Sequence, residues 1–266
     1  MSDFEVLSGE SYKELIGILE WFSHVGYIPV LIGGWAVFVY NSYFGSVDVD
    51  FVGPSMSGQF LDCIEGYERT HDYELFPSQG LGIEVAYRKP IIKDSKLFGH
   101  VEIDVCTYEN DVGGFHEAPE SRLPYSLCNG TNLLKKIPFN NKAIAYVPRK
   151  ALLFLFKLKA FRDRTHDLKT KGASLTASRR QWLETKIDKD GADLIALLDP
   201  KPTRYLIIDD LNFELLNKLL RDQELHFVLD TVKSLPTLRN CLARHPGLKT
   251  ETVEKWVKNF FEKIEK

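Results

Sequence analysis

Two short runs of alternating residues carry the strongest chemical signal in the chain. Val47-Asp48-Val49-Asp50-Phe51-Val52 switches between apolar and acidic side chains with the two-residue period of a β-strand. Asp48 and Asp50 therefore leave one face while Val47, Val49 and Phe51 leave the other. Carboxylates held that close repel each other, and a cation between them lets both stay ionised. A second run, His100-Val101-Glu102-Ile103-Asp104-Val105-Cys106, puts Glu102 and Asp104 on one strand face in the same way. A carboxylate from this second run would complete a cage for two divalent cations. Such a pair activates an attacking hydroxyl and stabilises the leaving oxygen of a phosphoryl displacement. Mg²⁺ (or Mn²⁺) suits hard oxygen donors of this kind. Upstream, Pro29-Val30-Leu31-Ile32 runs into Gly33-Gly34, where bare backbone lets N–H groups approach phosphate oxygens and the next helix N-terminus adds positive potential.

The elements that must position these residues follow from periodicity and turn chemistry. Leu15, Ile18, Leu19 and Phe22 predict a helix over 12–22. A strand over 27–32, a helix over 34–42, the strand 47–52 and a helix from Ser57 to Gly66 come next. Strands are expected over 73–76, 82–88 and 100–107, with Gly80 and Pro90 in the turns between them, and an edge strand over 143–147. At Pro148, suited to the first turn of a helix, the pattern becomes helical. Helices are expected over 151–164, 180–186, 191–198, 210–220, 224–234, 235–244 and 250–266, with a polar loop from 165 to about 178. The chain thus reads as an α+β protein: residues 1–147 an α/β domain with a small mixed sheet flanked by helices, residues 148–266 an α-helical domain.

Composition narrows the class. With 266 residues, 44% hydrophobic and 27% charged, the chain matches an ordinary globular protein. Its net charge of -3 provides no global field for nucleic acid, which leaves only local basic segments such as 169–180. Cys63, Cys106, Cys128 and Cys241 are scattered without a Cys-x-x-Cys pair, which fits a reducing cytoplasm rather than a disulfide framework. The acidic N-terminal segment does not read as a signal peptide, and no apolar run nears the roughly 20 residues of a membrane span. A cytoplasmic protein without a membrane partner is expected.

Taken together, Gly33-Gly34-Trp35-Ala36-Val37, Ser46-Val47-Asp48-Val49-Asp50-Phe51 and Glu102-Ile103-Asp104-Val105 resemble the nucleotidyltransferase superfamily that includes DNA polymerase β. The second half is similar to the AbiEii-type group of bacterial and archaeal toxins and their relatives, through Lys157-Leu158-Lys159-Ala160-Phe161-Arg162-Asp163-Arg164 and Lys189-Asp190-Gly191-Ala192-Asp193-Leu194. The resemblance implies a nucleotidyltransferase-like fold with Asp48, Asp50 and Asp104 as metal ligands and catalytic residues. It further implies a cradle for a nucleoside triphosphate from Gly33, Gly34 and Ser46, with Lys157 on its phosphates. Asp193, with Asp190 as the alternative, would orient the acceptor or Lys157. The chain departs from the pattern at Phe44, where many relatives carry Arg, and in about twenty extra polar residues over 165–184. Residues beyond about 200 match no pattern.

The expected activity is transfer of a nucleoside monophosphate from an NTP to an acceptor hydroxyl, with pyrophosphate released. A tRNA or other RNA end, a protein or a small molecule would each serve as acceptor, and a cognate antitoxin is a possible partner. Each feature also has a plainer reading. Acidic residues alternate on solvated edge strands, a lysine on an apolar helix snorkels to water, and Asp190 and Asp193 suit a first helical turn. The rival functions are a non-catalytic nucleotide- or partner-binding module and a phosphohydrolase on the same metals.

Overall fold

A computed structural model describes residues 3–55, 58–77, 83–109, 114–115 and 118–264. It is a mixed α+β protein whose main sheet has seven strands. The chain divides into two units. Unit 1 comprises Met1–Val39, Gly45–Val112 and Pro124–Arg149; unit 2 takes Tyr40–Phe44, Gly113–Leu123 and Lys150–Lys266. Two short segments that precede residue 147 therefore belong to the second unit.

In unit 1, helix α1 (Asp3–His24) precedes strand β1 (Val30–Ile32), helix α2 (Gly33–Tyr40, its last residue in unit 2) and strand β2 (Asp48–Gly53). Then come helix α3 (Gly58–Thr70) and strands β3 (Glu74–Phe76), β4 (Val85–Lys93) and β5 (Lys96–Thr107). After a two-stranded ribbon of unit 2, β6 (Gly114–Phe115) and β7 (Ala118–Arg122), strands β8 (Leu134–Pro138) and β9 (Ile144–Pro148) complete the main sheet in the order β3-β4-β5-β2-β1-β9-β8. β2 runs antiparallel to β1 and parallel to β5, while β9 runs parallel to β1. One sheet face is the core. Val49, Phe51, Val101, Ile103 and Val105 are fully buried there. Phe22 of α1 meets Phe51 edge-on at 5.7 Å and stacks on Phe60 of α3 at 6.0 Å. Each such ring removed from water contributes roughly 1.5–3 kcal/mol.

Several elements differ from the sequence reading, each for a physical reason. α1 starts nine residues earlier than expected because its first turns lie along the β4–β5 hairpin. Lys93 and Lys96 pair with Glu10 and Asp3 at 2.7 and 3.3 Å. That hairpin is longer than expected because Asp94 and Ser95 both adopt positive φ (50° and 60°), the geometry of a tight primed turn usually signalled by Asn-Gly. Pro90 sits within β4, opposite His100, rather than in a turn. β3 reaches only as far as Arg88, so β4 has an open edge at Pro90. The strand near 143–147 is not at the edge. β9 lies between β1 and β8, and β8 was not anticipated. Pro148 ends β9 rather than opening a helix. Gly80, Gly82 and Ser57 lie outside the described residues.

In unit 2, helices α4 (Lys150–Lys171) and α5 (Ala177–Leu198) form a hairpin. The polar loop expected over 165–178 is mostly helix. Lys171 pairs with Asp167 one turn back at 2.8 Å, and Thr176 caps α5 by accepting from the Arg179 N–H at 3.3 Å. α5 also runs unbroken through Gly191, because close packing there requires the missing side chain. A Cβ at Gly191 would stand 2.5 Å from Cys241 Sγ. Helix α6 (Phe213–Asp222) begins three residues later than expected, where Asn212 caps it by accepting from the Leu215 N–H at 2.8 Å. Residues His226–Thr237 are a 3₁₀ helix containing Pro236, not an α-helix. Helices α7 (Arg239–Ala243) and α8 (Thr250–Ile264) follow. Phe260 of α8 packs against Phe154 of α4 at 5.4 Å.

Glu68 on α3 is an acid sealed in the core of unit 1, only 3% exposed, with Oε1 lacking a hydrogen-bond partner. Burial pushes its carboxyl up to about 9, so the folded protein keeps it protonated at neutral pH. The unfolded chain releases that proton near 4.5. Stability contributed by this group therefore falls as pH rises from about 4.5 to 9 and levels off above. We expect Glu68→Gln to be close to wild type at pH 4.5 and more stable by about 1–3 kcal/mol at pH 8.5. Thermal denaturation across that range measures it.

Candidate active site

The register between β2 and β5 determines where the acids sit. Asp50 is the lateral partner of Asp104, and Asp48 that of Glu102. Partners in a parallel pair share a face and residues two apart share it too, so four carboxylates occupy one patch opposite the aromatic core. All four are half-buried. Glu102 thus enters the same patch as Asp104. Among the described residues, no group of three or more His, Cys, Asp or Glu side chains is gathered as a metal cage. The strands supply adjacent hard oxygen donors, which is the donor chemistry of a divalent cation site.

Gly33 is the second fixed point. Its φ of +69° lies in the left-handed region that favours glycine. A Cβ on it would stand 1.9 Å from Asp50 Oδ2, so the Asp50 carboxylate rests directly on the glycine backbone. Gly33 begins α2, and Gly34 follows it, buried. Trp35 anchors that helix by donating from Nε1 to Ser11 Oγ at 3.0 Å. Ser46 is buried two residues before β2. Beyond Asp104 on the same face, the Cys106 thiol is raised by burial and by Asp50, and it shares a hydrogen bond with Tyr125. Tyr125 closes that end of the patch and was not singled out in the sequence.

A second constellation lies in unit 2. Lys157, 9% exposed, neither snorkels nor stands alone. Its Nζ is 2.7 Å from Asp193 Oδ2 and 3.8 Å from Asp190 Oδ1. Asp193 is fully buried. Its Oδ1 accepts from Lys189 Nζ at 2.5 Å and from the Tyr43 hydroxyl at 2.6 Å. Asp190 pairs with Arg164. Asp190 and Asp193 lie in the second half of α5, not in a first helical turn. Burial would raise the Asp193 carboxyl, but Lys157 and Lys189 outweigh it and hold it down to about 2. Burial in turn pulls Lys189 below the usual lysine range and, with Asp193 beside it, pushes the Tyr43 hydroxyl well above its own.

The structure therefore brings Gly33, Asp48, Asp50 and Asp104 together in unit 1, and Lys157 with Asp193 in unit 2. Lys189 was visible in the sequence four residues before Asp193, the spacing of a helical ion pair. Nothing in the sequence signalled Tyr43, because its partner lies 150 residues away. No protein-family model matches the chain, and no curated protein does.

Two outcomes follow from this geometry. Gly33→Ala forces a left-handed alanine and displaces Asp50, so we expect a loss of about 1–2 kcal/mol from the backbone alone, read by chemical denaturation. Asp193 ionises near 3.8 in the unfolded chain and near 2 in the fold. Its contribution is complete above about pH 4 and disappears as pH falls through 2. Asp193→Asn removes the nearest counter-charge of two buried ammonium groups, leaving Lys157 with Asp190 at 3.8 Å, so we expect it to lose about 3–5 kcal/mol at pH 7 and to flatten the acid limb between pH 4 and 2.

Proposed function

We propose that the protein is a metal-dependent nucleotidyltransferase. It takes a nucleoside triphosphate, moves the nucleoside monophosphate to an acceptor hydroxyl and releases pyrophosphate. The observation that carries this reading is the lateral pairing of Asp50 with Asp104, with Asp48 on the same face and Gly33 under the Asp50 carboxylate. The resemblance of these motifs to the superfamily of DNA polymerase β supports it, as do the hard oxygen donors of the patch.

In this reading Asp48, Asp50 and Asp104 hold Mg²⁺ or Mn²⁺. Bound there, the metal lowers the pKa of the attacking hydroxyl and neutralises charge on the phosphates. The Gly33-Gly34 backbone and the first turn of α2 direct N–H donors at phosphate oxygens, and Ser46 supplies a hydroxyl. The motif resemblance alone gives Lys157 a phosphate-contacting role; within unit 2 it is held by Asp193, while Asp190 pairs with Arg164. Catalysis is then positioning and electrostatics, as in other phosphoryl transfers. The acceptor is an RNA end, a protein hydroxyl or a small molecule, and a cognate antitoxin is a candidate partner of the toxin-like reading.

Incubation with each labelled NTP and Mg²⁺, with and without total RNA, tests the proposal. We expect label on RNA, on protein or on a small acceptor, reduced by about 100-fold or more in Asp48→Ala and Asp50→Ala. Free monophosphate as sole product would indicate a hydrolase instead. Triphosphate binding with no transfer would indicate a non-catalytic module.

A further inference from the structure

The α4–α5 hairpin concentrates positive charge in a chain whose net charge is -3. Residues 162–186 hold seven Lys or Arg against three Asp or Glu. Two of those acids are already paired, Asp163 with Lys159 and Asp167 with Lys171. The first turn of α5 contains no acid. Arg179 and Arg180 stand there instead, a placement that the positive end of the helix dipole disfavours. Arg180 holds the turn between the helices, donating from Nη2 to the Gly172 carbonyl at 2.5 Å. Arg179 takes an aromatic partner. Its guanidinium carbon lies 4.0 Å from the centre of the Trp182 ring, with Lys186 Nζ at 5.8 Å and the Arg164 guanidinium of α4 at 6.0 Å.

Helical spacing puts residues 179, 182 and 186 on one face of α5, and Arg164 reaches the same ring from α4. Arg164, Arg179, Trp182 and Lys186 are all half-buried, so each keeps some surface open to water. Three cations around one indole repel each other, and each attraction to an exposed ring is small. The arrangement suits a polyanion that brings π-faces of its own. Phosphates would take the cations, and a base would stack on the indole or on the guanidinium beside it. An acidic peptide would answer the charges and leave the ring unused. A membrane surface would need apolar anchors, whereas Ala177, Ser178, Gln181 and Thr185 between and beside these residues are small or polar. A duplex keeps its base faces stacked inside, which leaves the single strand.

We propose that the α4–α5 hairpin is a docking surface for single-stranded nucleic acid, with a base stacked on the Arg179–Trp182 pair and backbone phosphates on Arg179 and Lys186. Arg164, tied to Asp190, adds to the positive field. The surface belongs wholly to unit 2. It is independent of the acidic patch on β2 and β5, and binding is measured without any catalytic step.

Fluorescence anisotropy of labelled RNA and DNA single strands of about ten nucleotides, and of the matching duplexes, tests the proposal on the full chain. We expect a single strand to bind more tightly than its duplex, and Trp182→Ala to weaken that binding about tenfold. Arg179→Gln combined with Lys186→Gln should weaken it as well and reduce the slope of log Kd against log salt by about 1.4, since two phosphate contacts are lost. These two positions are partly exposed, so the charge variant carries the test even where Trp182→Ala fails to fold. Arg179→Lys should keep the slope, because the charge stays, and still weaken binding, because the stacking plane goes. Lys258→Gln on α8, outside the Trp182 cluster, should change neither. RNA bound in preference to DNA of the same sequence assigns the surface to RNA, and equal binding assigns it to both. The proposal is overturned by the absence of single-strand binding, by binding that the Arg179 and Lys186 substitutions leave unchanged, or by a duplex bound as tightly as the single strand. Vesicles of anionic lipid bound in place of the strands overturn it too.

Discussion

The contact between the Asp50 carboxylate and the bare Cα of Gly33 constrains the whole of the first unit's polar face. It requires glycine at the end of β1, a left-handed backbone that begins α2 there, and β2 alongside β1 in the register that opposes Ile32 with Asp50. A slip of one residue in that pairing would turn Asp48 and Asp50 into the aromatic core and push Phe51 out to water. The burial of Phe22, Phe51 and Phe60 on one side and the proximity of glycine on the other therefore enforce the same register. Apolar packing and polar site share a single geometric solution.

The second unit meets a different constraint, that of keeping charges inside a helical core. An isolated buried carboxylate or ammonium would neutralise rather than stay charged. Here Asp193 stays ionised because two lysines and a phenol surround it, and Lys157 is nearly buried against the acids that α5 presents toward it. Hydrophobic side chains of similar volume would hold two helices together at least as well.

Both settings place titratable groups by surrounding them rather than by sequence neighbourhood. Glu68 in unit 1 and Asp193 in unit 2 are both buried acids, yet one is forced neutral and the other held ionised. The difference is the partner. Each has one carboxylate oxygen without a hydrogen-bond partner, but Asp193 has two ammonium groups within 2.7 Å.

The sequence determined the local content of the candidate site. Alternation in 47–52 and 100–106 fixed which residues share a strand face, and the Gly33-Gly34 corner announced a backbone without side chains. The apolar periods of α1 and α4 marked helices. These features are legible because they depend on neighbours two to four residues away. Tertiary structure decided what depends on distant ones: β9 as an interior strand, Pro90 inside β4, and α5 running through Gly191 because Cys241 fills the space beside it. It also decided that Tyr43 reaches Asp193 across 150 residues, since only a folded chain brings a hydroxyl to a carboxylate with no local pattern linking the two.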